Sequence, residues 1–370
     1  MLFTFRVHAN NKLMRRVHWP PTQLLAIYKE VLRADRIRVQ PERGSRLATG
    51  LTRMVITAVR PTLPDEPVRT RPDKVGKRRK FSSGVLFILP AFLFIFVFML
   101  YPLVSSGYMS FTEYNFVYDD APKFIGLDNY FAAFQDPLFT TALRNTFVYG
   151  VFFFVTVMAS SLVIALLLFQ KLRFNAFYRS AVFVPIVVPL SLAGLVFLWI
   201  LQPNYGLLNH ILGDVLNMPF LAQPWLSNAD TAMASIIVLG AWASIGFVTI
   251  LFLAGLQGIS QDTLEAAEMD GAAGIKKVFH IILPSLRETY VLTGTWTIIH
   301  ALKVFVEPMV MTDGGPGTST LVVYQQVYLT AFTYFDMGYA SAMGYILGLI
   351  ILVLVVLNFF IGKIRADKDA

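Results

Sequence analysis

From residue 83 onward the sequence is dominated by apolar runs about as long as a lipid bilayer is thick, and nothing else in it limits the fold so strongly. A helix rises 1.5 Å per residue, so about 20 apolar residues cross the hydrocarbon core. Such runs are read at 83–106, 145–169, 181–201, 230–256, 289–311 and 338–361. In hydrocarbon each backbone N–H and C=O must be satisfied within its own segment, so these runs are expected to be helices. The reading is an all-α integral membrane protein with six transmembrane helices. Composition agrees, with 56% hydrophobic residues against about 45–50% in soluble domains.

Several chemistries are excluded at once. The chain has no Cys, and therefore no disulfide and no thiolate metal site. Its histidines, His8, His18, His210, His280 and His300, show no HExxH or comparable spacing. No GxxxxGK[ST] phosphate loop occurs, and Gly314-Gly315-Pro316-Gly317 is followed by no Lys-Ser/Thr. The chain is read as non-enzymatic, without a metal or cofactor of its own.

Charge orients the spans. Residues 1–80 hold 19 Lys and Arg against 6 Asp and Glu, whereas the rest of the chain holds 12 against 17. Basic residues mark the cytoplasmic side of a span, and Lys77-Arg78-Arg79-Lys80 abuts the first run. Lys171, Arg173 and Arg179, then Lys276, Lys277 and Arg287, then Lys363, Arg365 and Lys368 fall after even-numbered spans. The intervening loops are acidic or neutral. Both termini are therefore expected in the cytoplasm, and no nucleic-acid role is assigned to the basic excess. Residues 1–82 read as a cytoplasmic extension touching anionic lipid or a partner, as a disordered leader, or as untranslated sequence upstream of a later start such as Met54. Residues 83–362 read as the membrane domain and 363–370 as a short tail.

Between the fourth and fifth runs lies a polar, small-residue stretch, Glu265-Ala266-Ala267-Glu268-Met269-Asp270-Gly271-Ala272-Ala273-Gly274, followed by Ile281-Ile282-Leu283-Pro284. It reads as a helix outside the bilayer, capped by Asp262 with Glu265 three residues on and stopped by Gly271, since glycine takes the left-handed conformation freely. Pro284 is expected to open the next apolar run, where its missing N–H costs nothing.

Glu-Ala-Ala, Asp-Gly-Ala and Ile-x-Leu-Pro in that order resemble the cytoplasmic loop of binding-protein-dependent ABC importer permeases. Phe124-Ile125-Gly126-Leu127-Asp128-Asn129-Tyr130, Asn145-Thr146 and Thr312-Asp313-Gly314-Gly315-Pro316 are similar to the carbohydrate-uptake branch, which includes maltose and glycerol-3-phosphate permeases. The resemblance covers about residues 84–362 and implies a type I ABC importer permease architecture in a bacterial plasma membrane. It implies that a coupling segment, about 260–284, docks on an ATPase subunit through Glu265, Ala266, Ala267, Asp270, Gly271, Ala272, Gly274, Leu283 and Pro284. The implied partners are two ABC ATPase subunits carrying ATP and Mg, a second permease forming a heterodimer, and an extracytoplasmic solute-binding protein that delivers a sugar-like solute.

Polar residues within spans mark candidate pathway positions, since an ionisable group there costs several kcal/mol. Thr293, Trp296, Thr297, His300, Lys303 and Glu307 recur at spacings of three and four and share a helix face. Trp296 offers a stacking platform for a sugar ring, or packs; Lys303 and Glu307 line the pathway or pair with each other. Ser235, Trp242 and Thr249, seven apart, form a second stripe, with Ser244 and Gly246 allowing close helix contact. Asn358 reads as interhelical glue. Pro185 and Pro189 predict a kinked or unwound third span. An ion-gradient-driven secondary transporter is the alternative function, and it would show internal repeats and charge relays.

Overall fold

The structure, a computed structural model, describes residues 83–170, 173–272 and 274–368. The basic extension 1–82 lies outside the described residues, as do 171–172, 273 and 369–370. The first apolar run is helix α1, Ser83–Ile95 continued through a wide π-type turn at Phe96–Leu100 into Tyr101–Met109. Pro102 follows that turn, and the wider spacing shifts the hydrogen bonds around a residue that has no N–H to give.

A two-stranded antiparallel ribbon comes next, β1 (Thr112–Glu113) paired with β2 (Lys123–Phe124), so the fold is not purely helical. Helix α2 (Asp128–Gln135) leads into α3 (Pro137–Phe169). Asp136 caps α3 by accepting the Leu138 amide at 2.8 Å, with Pro137 in the first turn. This start lies ahead of residue 145, because polar residues extend a helix beyond the apolar run wherever a cap permits it.

The third apolar run is broken. Helices α4 (Asn175–Val187) and α5 (Leu190–Ile200) meet at 96°. Neither Pro185 nor Pro189 has an N–H, and Val188 between them is extended, so the helical ladder cannot pass through the junction. After a short helix α6 (Leu207–His210) comes α7 (Ala229–Gln257), capped by Asn228. The polar stretch is α8 (Gln261–Met269); α9 follows as Ile275–Lys277, a π-type turn Val278–Ile282 and Leu283–Ser285. The chain ends with α10 (Arg287–Leu302), α11 (Val306–Met311), α12 (Val323–Phe332) and α13 (Met337–Lys368).

Among the described residues four helices are long and apolar enough to cross a membrane: α1 over Phe87–Met109, α3, α7 and α13. The bent α4–α5 pair makes a fifth if it is one span. The expected fifth run, 289–311, is divided into α10 and α11. Helix α12 lies inside a stretch read only as a loop.

Helix α7 is the centre of the bundle. Of its most apolar stretch 61% is buried, against none for α1. It packs along α3, α4 and α10, around a core that includes Tyr149, Phe153, Val157, Ile236, Leu239, Val248, Phe252 and Leu256. Small residues permit this closeness: a Cβ on Gly246 would collide with the Val182 backbone carbonyl of α4. Ser161 on α3 donates to the Ile245 carbonyl of α7 at 3.0 Å. A second cluster joins Phe139 and Ala142 of α3 to Met343, Ile346 and Leu347 of α13. Asn358 is the expected glue, donating to Val291 O and Thr295 Oγ1 of α10, both at 3.0 Å.

Candidate functional site

Helix α8 is a short polar helix closed at both ends. Ser260, not Asp262, is its N-cap: the Ser260 Oγ accepts the Thr263 amide at 3.1 Å from an extended backbone. Asp262 falls inside the first turn, where its charge still complements the helix N-terminus. At the other end Gly271 takes φ +78°; its amide reaches Glu268 O at 3.1 Å, and the Ala272 amide reaches Ala267 O at 2.9 Å. Those two bonds form a Schellman cap, which a left-handed residue at position 271 makes possible.

Leu264 and Ala267 turn into the bundle and anchor α8, while Glu265, Ala266, Asp270 and Gly271 face away. Lys277 on α9 closes the segment with an ion pair to Glu268 at 2.7 Å. Gly274 has φ +58°, a second turn that starts α9. Leu283 is half-buried and Pro284 exposed. Pro284 does not begin a helix after a loop, as its sequence position suggests. It follows the π-type turn within a continuous helical stretch, with the ladder shifted around its ring as at Pro102. The outer face also carries Met269, Ile275 and Phe279, at 88%, 76% and 63% exposure. Small, acidic and apolar residues are thus exposed along one segment that is capped at both ends of α8.

The polar residues of α10 share one broad arc of the helix but meet different neighbours. Thr293 and Thr297 are fully buried against α3, and their hydroxyls donate to Thr289 O and Thr293 O, both at 2.7 Å. Trp296 and His300 flank them, rings stacked with centroids 4.0 Å apart, and Phe247 of α7 meets Trp296 at 4.8 Å. His300 is exposed and Trp296 half-buried.

The second stripe faces the bent pair. Ser235 is buried and donates to Thr231 O, Trp242 touches Phe197 of α5, and Thr249 is fully buried beside Val182 of α4.

The pairing of Lys303 with Glu307 does not occur. Helix α10 ends at Leu302 and α11 begins at Val306, so the two residues no longer lie one turn apart on a common helix. Glu307 turns inward to the Tyr149 hydroxyl of α3, at a long 3.4 Å, beside Gly240 of α7. Lys303 is exposed and forms no ion pair among the described residues. Pro308 accounts for the break: it has no N–H for the Val304 carbonyl, and its ring would strike that carbonyl in a continuous helix. It was the overlooked signal, since its position three residues into α11 leaves its absent N–H unneeded.

At the end of the bundle opposite α8, the recognised motifs serve as clamps. Asn129 donates to Ser110 O and Thr112 O, and Tyr130 bonds Ser110 Oγ at 2.7 Å, tying α2 to the end of α1. Asn145 donates to Thr318 O and Leu321 O, and Thr146 Oγ1 accepts the Val323 amide. These bonds seat the 312–322 turn on α3. Asp336 caps α13 through the Tyr339 amide at 3.1 Å. Burial raises the Asp336 carboxyl above its ordinary value, and the nearby Glu113 and Asp119 charges push it the same way against the favourable amide.

A bundle of several helices long and apolar enough to cross a membrane, with one short polar helix at its end, defines a polytopic membrane protein. Residues 139–366 match the model of the binding-protein-dependent transport system inner membrane component family. The chain belongs to that family. The sulfoquinovosyl glycerol transport system permease protein SmoG of Agrobacterium fabrum is 33% identical over 71% of this chain and 85% of its own length. The arabinooligosaccharides transport system permease protein AraP of Bacillus subtilis is 35% identical over 74% and 86%. The fold is also like that of a chain in the crystal structure of a bacterial ABC transporter involved in the import of the acidic polysaccharide alginate. There the TM-score is 0.64, with 20% identity over 76% of this chain and 95% of that one.

Proposed function

We propose that this chain is the membrane-spanning permease subunit of an ATP-driven importer, and that its solute is a sugar or sugar derivative delivered by an extracytoplasmic binding protein. The observation that carries the reading is α8: a rigid, doubly capped helix whose outward face holds Glu265, Ala266, Asp270 and Gly271. In this reading α1, α3, α4–α5, α7, α10–α11 and α13 are the six spans, the two broken pairs counting as one each. The basic loops place α8 and both termini in the cytoplasm. A pair of ATPase chains, which carry ATP and Mg, grips the coupling segment 260–284 and turns its motion into tilts of α7 and α10. The coupling residues proposed are Glu265, Ala266, Asp270, Gly271, Ala272 and Gly274, with buried Ala267 anchoring the helix behind them and Leu283 and Pro284 setting the return into the membrane. A second, different permease chain completes the pathway.

Trp296, His300 and Phe247 form the aromatic face on which a sugar ring stacks, and Trp242 extends it along α7. Thr293, Thr297, Ser235 and Thr249 are buried within the helices that present it. Relatives named for sulfoquinovosyl glycerol and arabinooligosaccharides support the solute class. The test is purification of the intact complex in mild detergent, with mass spectrometry of the co-purifying chains. An ATPase subunit recovered with the wild type and lost with Glu265→Lys supports the reading. The chain recovered alone, and uptake driven by a proton gradient without ATP, would replace it with a secondary transporter.

A further inference from the structure

At the end of the bundle that carries α8, a cavity of about 270 Å³ opens between the last turn of α3, the first turns of α4 and the last two turns of α7. We propose that it binds the phosphate headgroup of an anionic phospholipid. Its polar lining consists of Arg179, Gln257 and the Thr249 hydroxyl, and among the described residues no carboxylate lines it. The hydroxyl is buried and has no hydrogen-bond partner. Among the described residues the Arg179 side chain makes one hydrogen bond, Nε to Asn175 Oδ1 at 3.1 Å, which leaves both terminal nitrogens to donate elsewhere. The Arg179 guanidinium and the Gln257 carboxamide are the accessible donors, and one positive charge beside a lining with no acid among the described residues selects an anion.

The remaining walls are Leu168, Val182, Ile250, Leu253 and Ala254. Ile250 is exposed and Val182 half-buried on the apolar flank, so an acyl chain leaving the pocket stays on hydrocarbon. The space is below the roughly 300–1,000 Å³ of pockets that enclose drug-sized ligands, and so it suits a headgroup, not an oligosaccharide. Assigning the site to the cytoplasmic leaflet rests on the placement of α8 proposed above; the pocket itself does not. Such a lipid bridges α3, α4 and α7 next to the foot from which α8 departs, and basic pockets between spans on that side commonly hold anionic headgroups.

The test is native mass spectrometry of the full transport complex released from nanodiscs of equal phosphatidylglycerol and phosphatidylcholine. Phosphatidylglycerol is expected to stay bound to the wild type. Arg179→Gln should weaken its retention at least about tenfold, as loss of charge-assisted hydrogen bonds implies, and Arg179→Lys should restore part of it. Ala254→Phe, which fills the cavity without altering charge, should also displace it. Arg173→Gln, outside the lining, should retain it. Equal retention of the two lipids, equal loss in Arg173→Gln, or displacement by millimolar inorganic phosphate would overturn the proposal. The readout needs no ATP turnover, so its failure is separable from failure of the importer reading, which appears as loss of the ATPase subunit from the same spectra.

Discussion

Gly271 and Asp336 each make one backbone geometry possible at opposite ends of the bundle. Gly271→Ala places a Cβ in the left-handed region, at a cost of about 1–2 kcal/mol, and should loosen the Schellman cap. Faster hydrogen exchange at the amides of Gly271 and Ala272 is the expected sign, with the rest of α8 less affected. At Asp336 the folded carboxyl holds its proton more tightly than the unfolded one. Its contribution to stability is therefore greatest in acid and falls as pH rises through the folded value. Asp336→Asn keeps the cap, because Asn serves as well as Asp, and removes the repulsion from Glu113 and Asp119. The melting temperature of this variant should equal or exceed that of wild type at pH 7 and converge with it near pH 4. Asp336→Ala should lose about 0.5–2 kcal/mol at both pH values.

Two breaks decide how the helices are used. The bend between α4 and α5 was legible, because Pro185 and Pro189 stand inside an apolar run and proline cannot continue a ladder. The break at Lys303–Phe305 was not, although Pro308 was in view. Regular spacing from Thr293 to Glu307 suggested one unbroken face, and a helical wheel assumes the continuity it seems to reveal. Pro308→Ala should restore the missing donor to Val304. Slower exchange across residues 303–308 and reduced uptake are expected, since Lys303 and Glu307 would be drawn back to one face. Close packing makes a parallel point on α7. Gly246→Leu drives a side chain into the Val182 carbonyl and should destabilise the α4–α7 contact by about 1–3 kcal/mol, visible as a lower midpoint of thermal unfolding.

For the whole molecule, burial is uneven in a way that suits an assembly. Helix α7 is enclosed, whereas α1 presents apolar side chains in every direction, as a helix surrounded by lipid or a neighbouring subunit would. The exposed Met269, Ile275 and Phe279 beside α8 call for a cover of protein, because that end carries polar caps and an ion pair. On the importer reading proposed above, Phe279→Glu, at an exposed position outside the recognised motif, should release the ATPase subunit while the permease still inserts. Co-purification from the membrane fraction checks this, and undiminished recovery of the ATPase would count against the docking face.

The sequence alone determined the membrane class, the polar helix between two apolar runs and the family, because hydrocarbon forbids unsatisfied backbone and so writes helices as long apolar runs. Caps, small-residue motifs and prolines are likewise local: Gly271, Gly246, Pro185 and Pro189 were read at their positions, whereas the Ser260 cap and the roles of Pro284 and Pro308 were not. Only the tertiary structure decided which faces meet. Thr293 and Thr297 direct their hydroxyls to their own helix while Trp296 and His300 stack beside Phe247, a division set by the packing of α10 against both α3 and α7. Glu307 found Tyr149, 158 residues away in sequence, because the helix it was expected to share with Lys303 ends before reaching it. The cavity at Arg179 has no counterpart in sequence spacing, since it is the space left where three helix ends from separate runs converge.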